Sequence, residues 1–260
     1  MDAFGLPASL SSLGWSGVVA ALATGVVAGF FNVTAGGGSL LTVPLLILYG
    51  LPGPLANGTN RVALVAQNLV AVPTFRLGGV RGLRHSGVLM LAALPGAIAG
   101  AWTGAVIDDA LFRRLLGGLM IAMTAVVLIR PRGEADTSIV RTRFRLLTLL
   151  AFVMLGFYAG FIQAGIGFLI VFALVGLERF PLVRAHAFKV ALVLVLQLAA
   201  LPVFAAHGKV NWPIGILLAV GLAIGGFAGA RVALKSSERV LRWLLAAAAL
   251  GLALRLLLFP

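Results

Sequence analysis

The stretch Gly25–Leu45, GVVAGFFNVTAGGGSLLTVPL, is an apolar run interrupted by polar residues and three consecutive glycines. A second stretch, Gly156–Ile170, repeats this pattern in the other half of the chain as GFYAGFIQAGIGFLI. We call NVTAGGGS (32–39) the first break and IQAGIG (162–167) the second break. Polar, glycine-rich interruptions at corresponding places in two halves of a chain are typical of transporter binding sites. The two breaks therefore predict a membrane transporter whose substrate lies between them.

The composition indicates that the bilayer is the solvent of this chain. Of its 260 residues, 61% are hydrophobic and 10% are charged, whereas soluble domains carry about 25% charged residues. The net charge of +13 lies in short gaps between apolar runs. The positive-inside rule explains such a pattern, so we expect no nucleic-acid partner. The absence of cysteine excludes disulfides and thiolate metal sites.

The apolar residues form ten segments, which predict an all-α polytopic membrane protein. A helix needs about 20 apolar residues to span the bilayer. Segments 37–51 and 166–178 are too short to span comfortably, and each follows a break. Each is predicted to pair with its predecessor as a hairpin dipping into the membrane, although a full crossing stays an alternative. The other segments are 13–34, 60–77, 87–107, 111–130, 144–163, 187–206, 212–233 and 239–258.

The two halves repeat each other at a constant spacing of 129 residues. Five segments per half is an odd number, so the halves enter the membrane from opposite sides. We predict two inverted-topology repeats, 1–130 and 144–260, joined by a cytoplasmic linker, 131–143. The matching pairs are Pro73 with Pro202, Gly79 with Gly208, Gly96 with Gly225, and Gly100 with Gly229.

The distribution of basic residues predicts the orientation. Placing the linker in the cytoplasm puts most of the 20 lysines and arginines on that side, as the positive-inside rule requires. The expected location is a bacterial inner membrane, crossed several times, with both termini outside the cytoplasm.

The breaks supply the first candidate ligands. Glycine lets the backbone leave a helix, and the N–H groups that start the next half-helix carry partial positive charge, which favours an anion. Close helix packing is the alternative explanation for glycine in membranes, and we expect it for Gly25, Gly29, Gly156, Gly160 and the pairs Gly96–Gly100 and Gly225–Gly229. The candidate ligands of the breaks are Asn32, Thr34, Gly36, Gly37, Gly38, Ser39, Gln163, Gly165 and Gly167.

A second group of candidates lies in ANGTNR (56–61) and AHAFK (185–189). The polar residues of ANGTNR are predicted to cap the third segment, leaving its arginine in the first helical turn. The arginine and the lysine of AHAFK lie near the ends of related segments, where they either hold an anion or snorkel to the membrane surface. The candidate residues are Asn57, Thr59, Asn60, Arg61, His186 and Lys189.

Three amides, Gln67, Asn68 and Gln197, lie inside otherwise apolar helices. A buried amide costs free energy unless it is hydrogen-bonded, so each must face another helix or a cavity. Interhelical hydrogen bonding and substrate contact explain them equally well. Asn68 and Gln197 are included among the predicted substrate ligands.

Carboxylates are absent from the middle of every segment, so a carboxylate proton relay or cation site is not predicted. The chain also lacks the HExxH zinc motif and the GxSxG nucleophile motif. We therefore expect no enzyme activity, no metal and no cofactor.

At these residues the chain resembles the sulfite exporter TauE/SafE family. The resemblance rests on GFFNVTAGGGSLLTVPLL, ANGTNR, GFYAGFIQAGIGF, AHAFKVALVLVLQLAALPVF, HGKVNW and IGGFAGAR. It implies a plasma-membrane permease for small anions such as sulfite or organosulfonates. The second break reads Ala164-Gly165-Ile166-Gly167 and lacks the triple glycine of the first.

The resulting hypothesis is a secondary transporter for a small anion that works by alternating access, with Arg61 and Lys189 holding the anion between opposing half-helix N-termini. The alternatives are a passive anion channel on the same scaffold and a transporter of a non-sulfur organic anion. The expected partners are the anionic substrate and the lipid bilayer, and a homodimer is compatible with the sequence.

Overall fold

The computed structural model describes residues 14–34, 36–80, 87–128, 146–178 and 180–234. Within these ranges the chain forms nine α-helices and no β-strand, which confirms the all-α fold class. The predicted linker, the tenth segment (239–258) and both termini lie outside the described residues. The helices are α1 (Gly14–Thr34), α2 (Ser39–Leu48), α3 (Gly53–Leu77), α4 (Gly87–Val106), α5 (Asp109–Leu128), α6 (Leu146–Phe161), α7 (Ile166–Gly176), α8 (Leu182–Ala206) and α9 (Trp212–Ala233).

The helix lengths fit a polytopic membrane protein. Among the described helices, four are long and apolar enough to cross a membrane, namely α1, α4, α8 and α9. The helices after the breaks are much shorter, with 10 residues in α2 and 11 in α7. At 1.5 Å per residue each reaches only about half of the ~30 Å hydrocarbon core. Neither can cross the bilayer alone, as their short segments predict.

Helix α2 folds back along α1. A Cβ atom placed on Gly38 would collide with the carbonyl of Ala28 inside α1. Further along, a cavity is lined by Gly17 on α1 and by Tyr49, just beyond the end of α2. The C-terminal end of α2 therefore lies closer to the start of α1 than its N-terminal end does. This is the hairpin geometry predicted for the first break.

The predicted start of α3 is wrong, because the helix begins at Gly53 rather than at residue 60. Pro52 is the N-cap residue, and a second proline follows within the first turn, a position where proline is favoured because its missing N–H would be unpaired anyway. Asn57, Thr59 and Asn60 therefore lie inside the helix and do not cap it. Their side chains are fully buried. Polar residues in this helix are tolerated because they face other helices.

The same correction applies to α8. This helix begins at Leu182, after the N-cap residue Pro181, rather than at residue 187. His186 and Lys189 are consequently in its second and third turns. Both side chains are 2% exposed, so Lys189 does not snorkel to the membrane surface.

The two halves share local structure at the spacing found in the sequence. Helices α3 and α8 each have 25 residues, and their first residues are 129 positions apart. The backbone has positive φ at Gly36 (+90°) and at its counterpart Gly165 (+73°). It does so again at Gly79 (+85°) and Gly208 (+66°). The 129-residue spacing therefore recurs in these backbone features as well as in the residue types.

Helices α3 and α8 run in opposite directions. A Cβ atom on Gly58, near the start of α3, would lie 2.9 Å from a ring carbon of Phe204, near the end of α8. Near the end of α3, Phe75 belongs to the same buried apolar cluster as Ala187 from the start of α8. Two helices related by an inverted repeat are expected to run in opposite directions. The orientation of the two halves in a bilayer stays a prediction.

Glycines bring two pairs of helices together, α1 with α9 and α4 with α6. A Cβ atom on Gly25 would lie 3.0 Å from the Cα of Gly221, and one on Gly156 would lie 3.0 Å from the Cα of Ala93. Cβ atoms in proteins rarely approach backbone so closely, so a side chain at either glycine would force the two helices apart. The packing interpretation of these glycines is confirmed.

Candidate functional site

The two breaks touch each other, backbone to backbone. A Cβ atom on Gly36 would lie 2.7 Å from the carbonyl carbon of Gly167, and one on Gly167 would lie 2.6 Å from the Cα of Gly36. Gly36 also has φ of +90°, a conformation that non-glycine residues rarely adopt. Only glycine fits at this crossing, because a side chain on either residue would push the breaks apart.

Ser39 links the first break to the second. Its hydroxyl donates a hydrogen bond to the carbonyl of Gln163 and accepts one from the N–H of Gly165, both at 3.2 Å. The backbone of Gln163 has φ of +58°, which is uncommon for a residue with a side chain. Its N–H is held by the carbonyl of Tyr158 at 3.0 Å. Polar contacts therefore fix the path of the second break.

A polar cavity lies beside this crossing. It contacts the first residue of α2, Ser39, and the first residue of α7, Ile166, so both half-helix N-termini face it. The N-terminal end of a helix carries partial positive charge. The cavity wall also contains residues of the 25-residue helices α3 and α8. The lining residues are Asn32, Ser39, Leu64, Gln67, Asn68, Ile166, Gly167, Lys189 and Val193.

Lys189 provides the positive charge of the cavity and also caps α1. Its ammonium group donates hydrogen bonds to the carbonyls of Asn32 at 2.9 Å and Val33 at 2.8 Å, at the C-terminal end of α1. Cations stabilise this end of a helix because its unpaired carbonyls carry partial negative charge. The Nδ1 atom of His186 lies 3.4 Å from the ammonium nitrogen.

Amide groups form the second polar part of the cavity wall. The side chain of Asn32 donates a hydrogen bond of 3.1 Å to the side-chain oxygen of Gln67. Asn68 donates to the carbonyl of Leu64 at 2.7 Å, one turn earlier in α3. Gln67 is therefore consistent with both explanations that the sequence left open, interhelical hydrogen bonding and substrate contact, because it forms a hydrogen bond to α1 and also lines the cavity.

The structure places Arg61 outside the lining of this cavity. Its guanidinium donates to the carbonyls of Ala159 and Gly160 at the end of α6, and to the side-chain oxygen of Gln197 at 2.7 Å. It also lies 4.4 Å from the ring centre of Phe204. Arg61 thus caps α6 as Lys189 caps α1. Each half of the chain supplies the cation that caps the broken helix of the other half.

Several predicted ligands surround Arg61 rather than the cavity. Asn57 donates to the carbonyl of Phe161 at 2.7 Å, and Gln163 donates to the carbonyl of Asn57 at 3.4 Å. We call this set the Arg61 cluster, and its members are Asn57, Asn60, Arg61, Gln163 and Gln197. All five side chains are 0% exposed.

The remaining predicted ligands have structural contacts. The hydroxyl of Thr34 donates to a carbonyl one turn earlier in α1. Thr59 accepts the N–H of Asn211, the N-cap residue of α9, at 2.9 Å. The carbonyls of Gly37 and Gly38 accept hydrogen bonds from the first turn of α2. These residues shape the break and the helix ends, and they do not line the cavity.

Sequence reasoning left out the apolar wall of the cavity, formed by Leu64, Ile166 and Val193. Apolar residues in an apolar helix carry no signal of their own. Leu64 lies three and four residues before Gln67 and Asn68, on the same face of α3. Counting back one helical turn from these two amides is the sequence signal that identifies Leu64 as a cavity residue.

The lining residues suit a negatively charged ligand. They include one ammonium group, three amides and a hydroxyl, and none of them is a carboxylate. Charge-assisted hydrogen bonds from an ammonium to an oxyanion are roughly twice as strong as neutral ones. Within the described ranges, no group of three or more histidine, aspartate or glutamate residues is arranged to hold a metal ion.

Comparison with known proteins identifies the family. The family model described as sulfite exporter TauE/SafE matches residues 21–256. A probable membrane transporter protein of Haemophilus influenzae is 30% identical over 84% of this chain and 86% of its own length. One from a Sinorhizobium species is 28% identical over 90% of both chains. The probable membrane transporter protein YfcA of Escherichia coli K12 is 29% identical over 84% of this chain and 81% of its own. No solved structure matches the chain significantly.

Proposed function

The chain belongs to the sulfite exporter TauE/SafE family, and from this premise we propose that it is a secondary membrane transporter for a small anion. Sulfite or an organosulfonate is the substrate class that we favour. The relatives named probable membrane transporter proteins support the general activity. The substrate, the mechanism and the inverted orientation of the two halves belong to the proposal.

The observation that carries the proposal is the cavity beside the crossed breaks. Two half-helix N-termini and the ammonium of Lys189 direct positive charge into it. The amides of Asn32 and Asn68 add hydrogen-bonding groups, and Leu64 and Val193 add an apolar surface. This combination matches a small anion that also carries a short apolar part.

The crossing of the breaks favours a transporter over a channel. Gly36 and Gly167 are in backbone contact, and the hydroxyl of Ser39 joins the two breaks by two hydrogen bonds. A passage that is closed by packed backbone must open by movement of one element against another. Such movement between repeats around a central site is alternating access.

We propose a bacterial inner-membrane location with both termini outside the cytoplasm. The bacterial relatives and the apolar helices support a membrane protein of bacteria. The side of each terminus rests on the distribution of basic residues alone. Two kinds of reporter, one active only in the cytoplasm and one active only outside it, can be fused to each terminus to measure this directly.

Counterflow in proteoliposomes tests the function. Vesicles containing the purified protein are loaded with unlabelled sulfite, and uptake of radiolabelled sulfite is compared with uptake into empty vesicles. A transporter shows faster uptake into loaded vesicles. A channel shows uptake that follows the electrochemical gradient, with no stimulation by internal sulfite. Repeating the assay with an organosulfonate and with a non-sulfur carboxylate ranks the substrate classes.

Removing the charge of the cavity tests the site. We expect Lys189→Gln to lower the initial rate of counterflow by about tenfold or more, because the oxyanion loses a charge-assisted hydrogen bond. Lys209→Gln is the matched control, since Lys209 lies in the connection between α8 and α9, outside the cavity lining. Equal rates for the two variants would remove Lys189 from the substrate site. Asn68→Leu provides a second variant that leaves the cap on α1 intact.

A further inference from the structure

The Arg61 cluster has the features of a second ligand position. Asn60 and Arg61 follow Asn57 by three and four residues, so the three side chains share one face of α3. Gln163 reaches this face from the second break, and Gln197 reaches it from α8. Three separate parts of the chain therefore bring polar side chains to one fully buried place.

Six polar side-chain atoms of this cluster have no hydrogen-bond partner. Both side-chain atoms of Asn60 are unpaired, as are the Nε of Arg61, the Nε2 of Gln197, the Oδ1 of Asn57 and the Oε1 of Gln163. Buried polar groups in folded proteins nearly always have partners, and each exception needs an explanation. Exceptions on five neighbouring side chains indicate a place where a polar ligand enters.

The charge of the cluster indicates the sign of that ligand. In the described part of the chain, Arg61 has carbonyl and amide partners but no ion pair. A buried cation without an opposite charge is unfavourable in a membrane protein. The free N–H groups of Arg61, Asn60 and Gln197 are donors that an oxyanion would accept.

The cluster is also the counterpart of the cavity in the other half of the chain. Asn60 and Lys189 are related by the 129-residue spacing, and so are Asn68 and Gln197. The hydrogen bond between Ser39 and the carbonyl of Gln163 connects the two places. Each half of the chain is thus associated with one polar region next to the crossing of the breaks, either the cavity or the Arg61 cluster.

We propose that the Arg61 cluster is a second binding position for a small oxyanion, separate from the cavity beside Lys189. The anion would occupy it after the breaks have moved apart, with Arg61, Asn60 and Gln197 as its hydrogen-bond donors. This inference rests on the proposed function, because it places a second position on the same transport path.

The absence of cysteine in the chain makes a direct test available. Gln197→Cys, Asn68→Cys and Leu196→Cys are each prepared as the single cysteine of the protein in proteoliposomes. Asn68 marks the cavity, and Leu196 is a buried apolar neighbour on α8. Each variant is treated from both sides with two thiosulfonate reagents of similar size, one carrying a sulfonate and the other a trimethylammonium group.

We expect the cysteine at 197 to react roughly tenfold faster with the sulfonate reagent than with the ammonium reagent, because Arg61 attracts the former and repels the latter. The cysteine at 196 should show no such preference. Adding Arg61→Gln should remove the preference at 197. Because a folded protein is required, each variant is first checked by size-exclusion chromatography, and Asn60→Cys replaces Gln197→Cys if the latter does not fold.

The outcomes separate this inference from the proposed function. A preference at 68 without one at 197 overturns the second position and leaves the cavity beside Lys189 intact. If neither cysteine reacts preferentially with the sulfonate reagent, the result counts against both the second position and the cavity beside Lys189. A cysteine at 197 that reacts with neither reagent, or whose preference survives Arg61→Gln, also overturns the proposal.

Discussion

The contact between the two breaks predicts a specific pattern of stability losses when glycines are replaced by alanine. Gly36 carries two constraints, positive φ and backbone contact with Gly167. Gly50 carries only the first, since its φ is +93° and no atom lies within 4 Å of an added Cβ. Gly167 carries only the second. The three alanine variants therefore separate backbone strain from steric overlap.

The magnitudes follow from these constraints. A non-glycine residue in the left-handed region costs about 1–2 kcal/mol, which is the loss that we expect for Gly50→Ala. Overpacking costs about 1–3 kcal/mol, and Gly167→Ala should show this loss, reduced by up to ~1 kcal/mol because alanine favours the helix. Gly36→Ala combines strain and overlap, so we expect a loss of about 2–5 kcal/mol.

Thermal unfolding of the purified variants in the same detergent or lipid measures the order of these losses. For chains of 150–250 residues, 1 kcal/mol corresponds to roughly 2–4 °C in melting temperature. We therefore expect a decrease of roughly 4–20 °C for Gly36→Ala and roughly 2–8 °C for Gly50→Ala. Counterflow should survive Gly50→Ala and be lost in Gly36→Ala.

A melting temperature of Gly36→Ala equal to that of Gly50→Ala would refute the backbone contact between the breaks. Full counterflow in Gly167→Ala would show that the breaks do not need to approach so closely during transport. Either result would contradict the hypothesis that the crossing of the breaks closes the transport pathway.

Two further predictions concern single contacts. Ser39→Ala leaves the buried N–H of Gly165 unpaired, so we expect a loss of about 1–3 kcal/mol. The carbonyl of Gln163 still accepts a hydrogen bond from the N–H of Ile166. Thr42→Val, one turn later, removes a buried hydroxyl that has no partner and should leave the melting temperature unchanged or raised; a larger loss for Thr42→Val than for Ser39→Ala would contradict the assignment. Gly225→Ala should destabilise the contact of α9 with α1 by about 1–3 kcal/mol, because the added methyl meets backbone. Gly118→Ala on α5, where no atom lies within 4 Å of the added Cβ, is the control, and equal melting temperatures for the two alanine variants would argue against this packing.

The reciprocal caps connect stability to the site. Lys189 holds the end of α1, and Arg61 holds the end of α6. Each cation belongs to the opposite half of the chain from the helix that it caps. Movement of one half against the other therefore changes the environment of both cations. This arrangement gives the proposed alternating access a physical link between helix movement and anion binding.

Hydropathy identified most helices but misplaced the start of α3 and α8. The polar sequence ANGTNR looked like a helix end because a hydropathy pattern counts Asn57, Asn60 and Arg61 as unsuited to the membrane. In the fold all three side chains are buried, and those of Asn57 and Arg61 form hydrogen bonds with α6 and α8. The signal that was available is Pro54 in the first turn, since proline favours that position.

The candidate site was predictable in part. The glycine breaks indicated where the backbone leaves the helices, and five residues of the prediction line the cavity, namely Asn32, Ser39, Asn68, Gly167 and Lys189. The sequence could not tell that Arg61 and Lys189 lie in different places. Both are single cations beside a break, and only their partners distinguish them.

The sequence by itself determined the solvent, the helical class, the positions of the two breaks and the repeat, because these depend on composition, on glycine and on residue spacing along one chain. The tertiary structure alone decided which polar groups meet. It brought Gly36 against Gly167, placed Lys189 in the cavity lining and enclosed Arg61 among amides that keep unpaired atoms. The physical reason is that a buried charge or amide is satisfied by partners distant in sequence, and helical packing selects those partners.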